Sequence, residues 1–275
     1  PECLILNNLE FDHADIYPDL AAIKQQFHYL LRSVPQQGCI FVNNRESALR
    51  DVLDNGCWSS QVTTAVSTPA DWSARLLSAD GSHFECWYQG ALWAQVSWPL
   101  WGEYNVSNAL AATALAHHIG ISREVIVSAL ASFSGVAKRM ECVLSTDRYQ
   151  VYRDFAHHPT AITGAIRALR HARTSGRLIV MLELGSRTMQ RHVDVDALAQ
   201  ALQQADRCVV LDSDDIQWPL EQLCERLPGR CSVAESALTA WHAEVKHLKY
   251  QDTVLLLSNK NFAGLVEQLA CESVQ

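Results

Sequence analysis

Tyr152-Arg153-Asp154-Phe155-Ala156-His157-His158-Pro159-Thr160 reads as the end of a strand, a polar turn and the start of a helix. The strand covers 149–154 and stops at Asp154. Pro159 suits a first helical position, because its missing N–H would have no intrahelical partner there. Outward from this stretch, strands are predicted at 141–145, 178–183, 207–211 and 253–258. Helices are predicted at 160–172, 194–204, 217–226, 236–248 and 261–270. Strands alternating with helices imply a parallel sheet covered on its faces.

The same alternation runs upstream. Leu4–Leu6, Cys39–Val42 and Val62–Val66 read as strands. Leu20, Ile23, Phe27, Leu30 and Leu31 recur at helical spacing, and Ser47–Leu53 reads as a second helix. Residues 72–100 differ, being rich in Trp and Ser with a turn at Asp80-Gly81. Arg75–Ser78, His83–Tyr88 and Leu92–Val96 are predicted as antiparallel hairpin strands. Helices follow at Val106–His118, ending at Gly120, and from Ser122 to Ser132. A boundary between two α/β domains, 1–139 and 140–275, is expected near Lys138–Met140.

Length and composition narrow the function. At roughly 100–200 residues per domain, 275 residues make about two domains. The 48% hydrophobic content supplies a core, which excludes a wholly disordered chain. No apolar run approaches the roughly 18–20 residues of a membrane span, and no basic stretch leads into an apolar segment at the start. A net charge of -8 argues against a general nucleic-acid binder, which needs a basic surface to displace counterions. Nine cysteines, none in a C-x-x-C pair, read as reduced thiols of a cytoplasmic protein, not as a disulfide frame or zinc knuckle. The opening Pro1-Glu2-Cys3, with no initiator Met, enters a strand at once and suggests that an N-terminal part is missing.

Five polar constellations sit where open α/β sheets place ligands, past the carboxyl ends of strands or at helix starts. Asn7-Asn8-Leu9-Glu10-Phe11-Asp12-His13 offers carboxylates and an imidazole suited to a hard cation, or simply an acidic helix start. Asn105 and Asn108 share a helix face, and their amides match an adenine edge; Asn105 alone could be an N-cap. Arg139, in Lys138-Arg139-Met140-Glu141, could grip a phosphate or be a solvated charge. Asp154 could accept from ribose hydroxyls, with His157 and His158 orienting a substrate. Ser186 and Arg187 after 178–183, and Ser258-Asn259 after the last strand, could form an anion pocket or ordinary polar loops. His117-His118 is expected to complement a helix dipole, and Arg167, Arg170 and Arg173 to form a solvated stripe.

Taken together, these motifs resemble the Mur ligases, ATP-dependent amide ligases of peptidoglycan synthesis. Asn8-Leu9-Glu10-Phe11-Asp12-His13 is similar to the family's N-x-E-x-D-H segment. Gly102-Glu103-Tyr104-Asn105-Val106-Ser107-Asn108-Ala109 is similar to G-x-H-N-x-x-N-A, with Tyr104 in place of His. Gly135–Glu141 resembles the G-V-K-R-R-hydrophobic-E hinge. Asp154–Ala161 resembles the branch that adds a murein tripeptide more than the branch that adds L-alanine. The resemblance implies the latter part of a central ATPase domain, a mostly parallel sheet with small antiparallel strands, followed by a Rossmann-like C-terminal domain. No G-x-x-x-x-G-K-[ST] loop occurs in the chain, so the family's N-terminal portion would have to be supplied and this chain alone would be inactive.

The implied reaction joins UDP-N-acetylmuramate to L-alanyl-γ-D-glutamyl-meso-diaminopimelate in peptidoglycan recycling, using ATP and Mg²⁺. By the same resemblance, His13 with Glu10 would hold the metal, Asn105 and Asn108 adenine, and Asp154 ribose. Arg139 would contact phosphate, and His157, His158, Ser186 and Arg187 would line the peptide site. The competing expectations are a UDP-N-acetylmuramate–L-alanine ligase of the same class and a non-catalytic nucleotide- or peptide-binding module.

Overall fold

A computed structural model describes residues 1–191 and 193–272. The chain forms two compact units, Pro1–Ser134 and the part from Gly135 onward, so Lys138–Met140 lies just inside the second.

The first unit runs β1 (Cys3–Leu6), α1 (Leu20–Leu31), β2 (Cys39–Asn43), α2 (Ser47–Asp54), β3 (Ser60–Val66), β4 (Trp72–Leu76), β5 (His83–Tyr88), β6 (Ala91–Ser97), α3 (Glu103–His118) and α4 (Arg123–Ser132). The strands form one sheet in chain order, parallel from β1 to β4 and antiparallel through β5 and β6. Strand β2 shows how the layers arise. Cys39 and Phe41 join one core with Val106 and Leu110 of α3. Ile40 and Val42 join another with Leu31 of α1 and Leu49 and Val52 of α2. Successive side chains face opposite sides, so a strand covered on both needs an apolar residue at every position.

Strand β4 begins at Trp72 rather than Arg75, and it also pairs parallel with β3. The loop between them is tied by Asp71, whose carboxylate accepts from the Thr63 N–H at 2.8 Å and its hydroxyl at 2.6 Å. Trp72 is buried and stacks on Tyr88 at 4.6 Å between centroids. His117 and His118 do lie in the last turn of α3. Their rings are not simply solvated, however. His117 meets Trp72 edge-on at 5.2 Å, and His118 meets Phe41 at 5.5 Å.

The second unit runs β7 (Glu141–Ser145), β8 (Tyr149–Asp154), α5 (Pro159–Ala172), β9 (Leu178–Glu183), α6 (Arg187–Arg191), α7 (Val195–Leu202), β10 (Arg207–Leu211), α8 (Glu221–Arg226), β11 (Cys231–Ala234), α9 (Ala237–Val245), β12 (Asp252–Leu257), a 3₁₀ turn (Phe262–Gly264) and α10 (Leu265–Glu272). The sheet order is β11-β10-β9-β12-β8-β7, with only β7 antiparallel to its neighbour. Val151, Met181 and Val254 pack against Trp241 of α9 and Leu265 and Leu269 of α10. The alternating residues Val180, Leu182, Leu255 and Leu257 are equally buried and turn to the opposite face. There α5 and α7 pack against each other.

Further sequence expectations change in this unit. The helix expected from 217 begins at Glu221, because Gln217 N–H and the Trp218 indole donate to the carbonyls of Gln190 and Met189. The helix expected at 261–270 breaks, since Phe262, Ala263 and Gly264 all hold left-handed φ before α10 starts. The supposed solvated stripe is partly anchored. Arg170 donates to Gln204 O at 2.8 Å and to Asp206 at 2.6 Å, fastening α5 to the approach to β10.

At the opposite end of the sheet, Gly176 has φ +78°, and a Cβ there would stand 2.0 Å from Gln251 O. That approach brings Arg177 onto Asp252, which is buried. The Asp252 carboxylate accepts from the N–H groups of Arg177 and Lys249 and from the Arg177 guanidinium at 2.6 Å. Burial pushes the carboxyl up, but these donors outweigh it and hold Asp252 below its ordinary range. A depressed folded pKa gives stability that is present above the unfolded value and lost as pH falls through the folded one. Asp252→Asn is therefore expected to cost about 2 kcal/mol at neutral pH. The wild-type-minus-variant difference, read by urea denaturation, should shrink below about pH 4. A difference constant across that window would contradict the assignment.

Candidate active site

Each unit presents its own set of polar groups. In the first, the chain leaves β1 and turns through 7–17. Leu9 is buried and anchors this loop. Glu46, at the N-terminal end of α2, accepts from the Leu9 N–H. Burial first, and then the neighbouring Glu10 charge, raise the Glu46 pKa. Two carboxylates are thus crowded beside each other. His13 is exposed with φ 56°, and its carbonyl caps a turn by accepting from Ile16 and Tyr17 N–H at 2.8 and 2.9 Å. Among the described residues, no three His, Cys, Asp or Glu side chains converge as a metal cage. The Glu10–Glu46 crowding fits instead a divalent cation that takes its remaining ligands from phosphate and water.

Helix α3 faces the same loop. Its N-cap is Gly102, with φ 97°, so Asn105 is not the cap. The Asn105 amide nitrogen donates to Trp101 O at 2.7 Å. Asn108, an exposed residue, accepts from Asn7 Nδ2 at 3.0 Å, which ties the strand-end loop to the helix and leaves its amide nitrogen with no partner among the described residues. Glu103 pairs with Arg45, whose guanidinium also reaches Val66 O at 3.4 Å. Sequence reasoning missed Arg45 and Glu46. The signal was available, since Asn43-Asn44-Arg45-Glu46 is another polar stretch just past a strand.

In the second unit, Asp154 organises the end of β8. It is 4% exposed. One oxygen accepts from Met140 N–H and the other from Ala156 N–H, both at 2.8 Å. Phe155 N–H donates to Lys138 O at 2.7 Å, so the 138–140 turn is held from both sides. Lys138 and Met140 carry left-handed φ values of 61° and 47°, strain of about 1–3 kcal/mol per residue that these bonds offset. Arg139 between them projects its guanidinium over the Phe155 ring at 5.2 Å, and its charge acts on Asp154. Burial raises the Asp154 pKa despite the two N–H bonds and the Arg139 charge, which lower it. Glu141 is held down chiefly by the Arg153 fork, at 2.9 and 3.1 Å.

His157 follows, its Nδ1 2.9 Å from Phe155 O and its ring edge-on to Phe155. His158 occupies the N-cap position of α5 without a side-chain cap bond, and Pro159 begins the helix. At the end of β9, Glu183 accepts from Ser258 Oγ at 2.6 Å and Phe262 N–H at 3.0 Å. Ser258 Oγ in turn accepts from Lys260 N–H at 2.8 Å. Gly185 lets Asn259 close in, since a Cβ there would stand 2.0 Å from Asn259 Oδ1. Ser186 Oγ accepts from Met189 N–H at 3.3 Å, and Arg187 opens α6 exposed, with no ion pair among the described residues. The structure thus gathers Arg139, Asp154 and His157 at one strand end, and Ser186, Arg187, Ser258 and Asn259 around the next two.

The comparisons with known proteins agree with this arrangement. Residues 1–116 match the family model of the Mur ligase middle domain, and residues 138–260 that of the Mur ligase glutamate ligase domain. The chain belongs to the Mur ligase family. Over 98% of its length it is 38% identical to the UDP-N-acetylmuramate–L-alanyl-γ-D-glutamyl-meso-2,6-diaminoheptandioate ligase of Escherichia coli (strain K12), and 35% identical to its namesake from Haemophilus influenzae. It spans 59% of the length of each. A murein peptide ligase structure from Psychrobacter arcticus 273-4 matches 100% of this chain and 57% of its own, with 34% identity and a TM-score of 0.71. The UDP-N-acetylmuramate–L-alanine ligase of Roseiflexus sp. is 31% identical over 75% of this chain and 47% of its own length.

If Asp154 holds both flanking loops, Asp154→Ala should release them without unfolding the sheet. Amide exchange at Met140 and Ala156 should accelerate by about tenfold or more, the equivalent of one lost hydrogen bond. Unchanged protection at both amides would mean that the loops are held by something else.

Proposed function

We propose that this chain is the greater part of an ATP-dependent amide ligase that joins UDP-N-acetylmuramate to L-alanyl-γ-D-glutamyl-meso-diaminopimelate. The observation that carries this reading is the identity together with its reach. The tripeptide-adding relatives are 38% and 35% identical over 98% of the chain, both units included, against 31% over 75% and 32% over 90% for the L-alanine-adding relatives of Roseiflexus and Chlorobium. The groups at the strand ends have the chemistry such a reaction needs. The UDP-linked substrate assigns it to the cytoplasm, and among the described residues no helix is long and apolar enough to cross a membrane.

In this reading ATP supplies the phosphoryl group that activates the muramate carboxylate, and Mg²⁺ the charge neutralisation that lets two anions approach. The chain's own residues bind and orient. Asn108 turns its unbonded amide nitrogen to the adenine edge, with Asn105 behind it, its nitrogen already on Trp101 O. Glu10 and His13 would hold the cation, and Glu46 fixes their loop through Leu9. Arg139, its guanidinium laid over the Phe155 ring, meets phosphate. Asp154 retains carboxylate lone pairs for a ribose hydroxyl after its two backbone bonds are made. His157, His158, Ser186 and Arg187 receive the peptide, whose carboxylates suit Arg187. The phosphate loop and the UDP-sugar site belong to the portion of the enzyme outside these residues.

Two measurements test this. Asn108→Ala and Asp154→Ala, made separately, should each weaken ADP binding by about tenfold in calorimetry, roughly 1.4 kcal/mol. Unchanged affinity in both would remove the nucleotide assignment. A ligation assay with ATP, Mg²⁺, UDP-N-acetylmuramate and the tripeptide should compare this chain with a polypeptide extended by the upstream coding region. Product from the longer polypeptide alone is expected. Product only when L-alanine replaces the tripeptide would transfer the assignment to the alanine-adding branch. Product from neither substrate would leave a nucleotide- or peptide-binding module.

A further inference from the structure

Three of the nine cysteines behave as small core residues. Cys39, Cys86 and Cys208 are buried, and burial pushes the Cys86 and Cys208 thiols up to about 12. Cys224 and Cys231 do not fit that pattern. Both are partly exposed, and their sulfurs stand 3.0 Å apart, Cys224 donating to Cys231. They come from different elements, helix α8 and strand β11.

The backbone sets this approach. Leu227 N–H donates to Cys224 O, and Arg230 and Cys231 N–H both donate to Leu227 O. Gly229, at φ +71°, makes the return. The turn therefore delivers the two side chains to each other whether or not the thiols interact. The remaining gap to a disulfide, at ~2.05 Å, is about 1 Å, within side-chain rotation on a preformed loop. On its other side β11 pairs in register with β10, where Cys208 lies opposite Cys231.

We propose that Cys224 and Cys231 are a modification site, a thiol pair built to form a disulfide that staples α8 to the edge strand β11. The oxidant is a low-molecular-weight disulfide such as oxidised glutathione. The Cys224 thiolate attacks one sulfur of the oxidant and expels one glutathione thiolate, leaving a mixed disulfide on Cys224. Cys231, after releasing its proton to water, attacks the Cys224 sulfur and expels the second glutathione thiolate. The two thiols lose two protons and two electrons in all, and the oxidant is reduced to two thiols. Burial, together with the bond from Cys224, raises the Cys231 thiol, so the second step quickens with rising pH. Cys208 is the buried bystander, too enclosed to meet the oxidant.

The test uses the chain as it stands. It is incubated with oxidised glutathione, digested without reductant, and its peptides are weighed. The expected product is a 224–231 linked peptide lighter by about 2 Da, reversed by dithiothreitol. Cys142 and Cys271, which are exposed, serve as internal comparators and should carry mixed disulfides only. Closing this loop should raise the unfolding temperature of the second unit by roughly 5 °C. Cys231→Ser should arrest the reaction, leaving glutathione on Cys224, and Cys208→Ser should leave the cross-link intact. A 224–231 pair that stays reduced while Cys142 reacts, or a link that runs instead to Cys208, would overturn the proposal.

Discussion

A carboxylate that has given up water must be held by something else, and at Asp154 that something is the backbone of two loops. Its oxygens are divided between Met140 N–H and Ala156 N–H. The arrangement costs charge stability, for burial raises the Asp154 pKa in spite of both bonds. The linkage therefore has the opposite sign to that of Asp252 on the far end of the sheet. A raised folded pKa favours the folded state at low pH, an advantage lost as pH rises through the folded value. At neutral pH Asp154 holds its loops against that penalty, and Asp252 adds to stability outright. A residue retained at a net electrostatic disadvantage is one whose geometry matters. Here that geometry is the strained 138–140 turn that presents Arg139.

The rest of the second half follows from one insertion. β12 is the last strand in the chain, yet it lies between β8 and β9, with Leu257 in register with both Asp154 and Leu182. Three loops distant in sequence are thereby brought side by side. Ser258 N–H donates to Asp154 O, and Ser258 Oγ donates to Glu183. The Asp154 backbone carbonyl and the Glu183 carboxylate, on flanking strands, thus clasp the loop that leaves β12. The left-handed run Phe262–Gly264 is what that clasp requires, since Phe262 must turn its N–H back onto Glu183 while its ring stays buried.

How far the sequence revealed this depended on the length of the interaction concerned. Strands buried on both faces announce themselves, so β2, β9 and β12 stand where the apolar runs place them. The Asp154–Pro159 strand-to-helix turn was equally legible, because it is built from neighbours. Strand β11 was not expected: it is an edge strand of four residues, half exposed, with Ser232 in its middle. The break at 262–264 was hidden because its cause, Glu183, lies far away in the chain. Asn108 was read as an adenine contact from its spacing, but its partner Asn7 comes from another strand end. Arg45 and Glu46 were legible in kind, as polar residues past a strand, and were passed over because no motif marked them.

The two halves also differ in the charge they hold ready. The first unit crowds Glu10 against Glu46 and already engages its nearest guanidinium, Arg45, with Glu103. The second unit holds Arg139 over an aromatic ring beside Asp154, and leaves Arg187 exposed at the start of α6. Crowded carboxylates favour a cation, and accessible guanidiniums favour anions. The reaction proposed above brings together a metal nucleotide, a muramate carboxylate and an acidic peptide, and so needs both kinds of group. The acid pair beside the β1 loop and the guanidiniums at the strand ends of the second unit are the physical ground on which we propose the cation at Glu10 and His13 and the anions at Arg139 and Arg187.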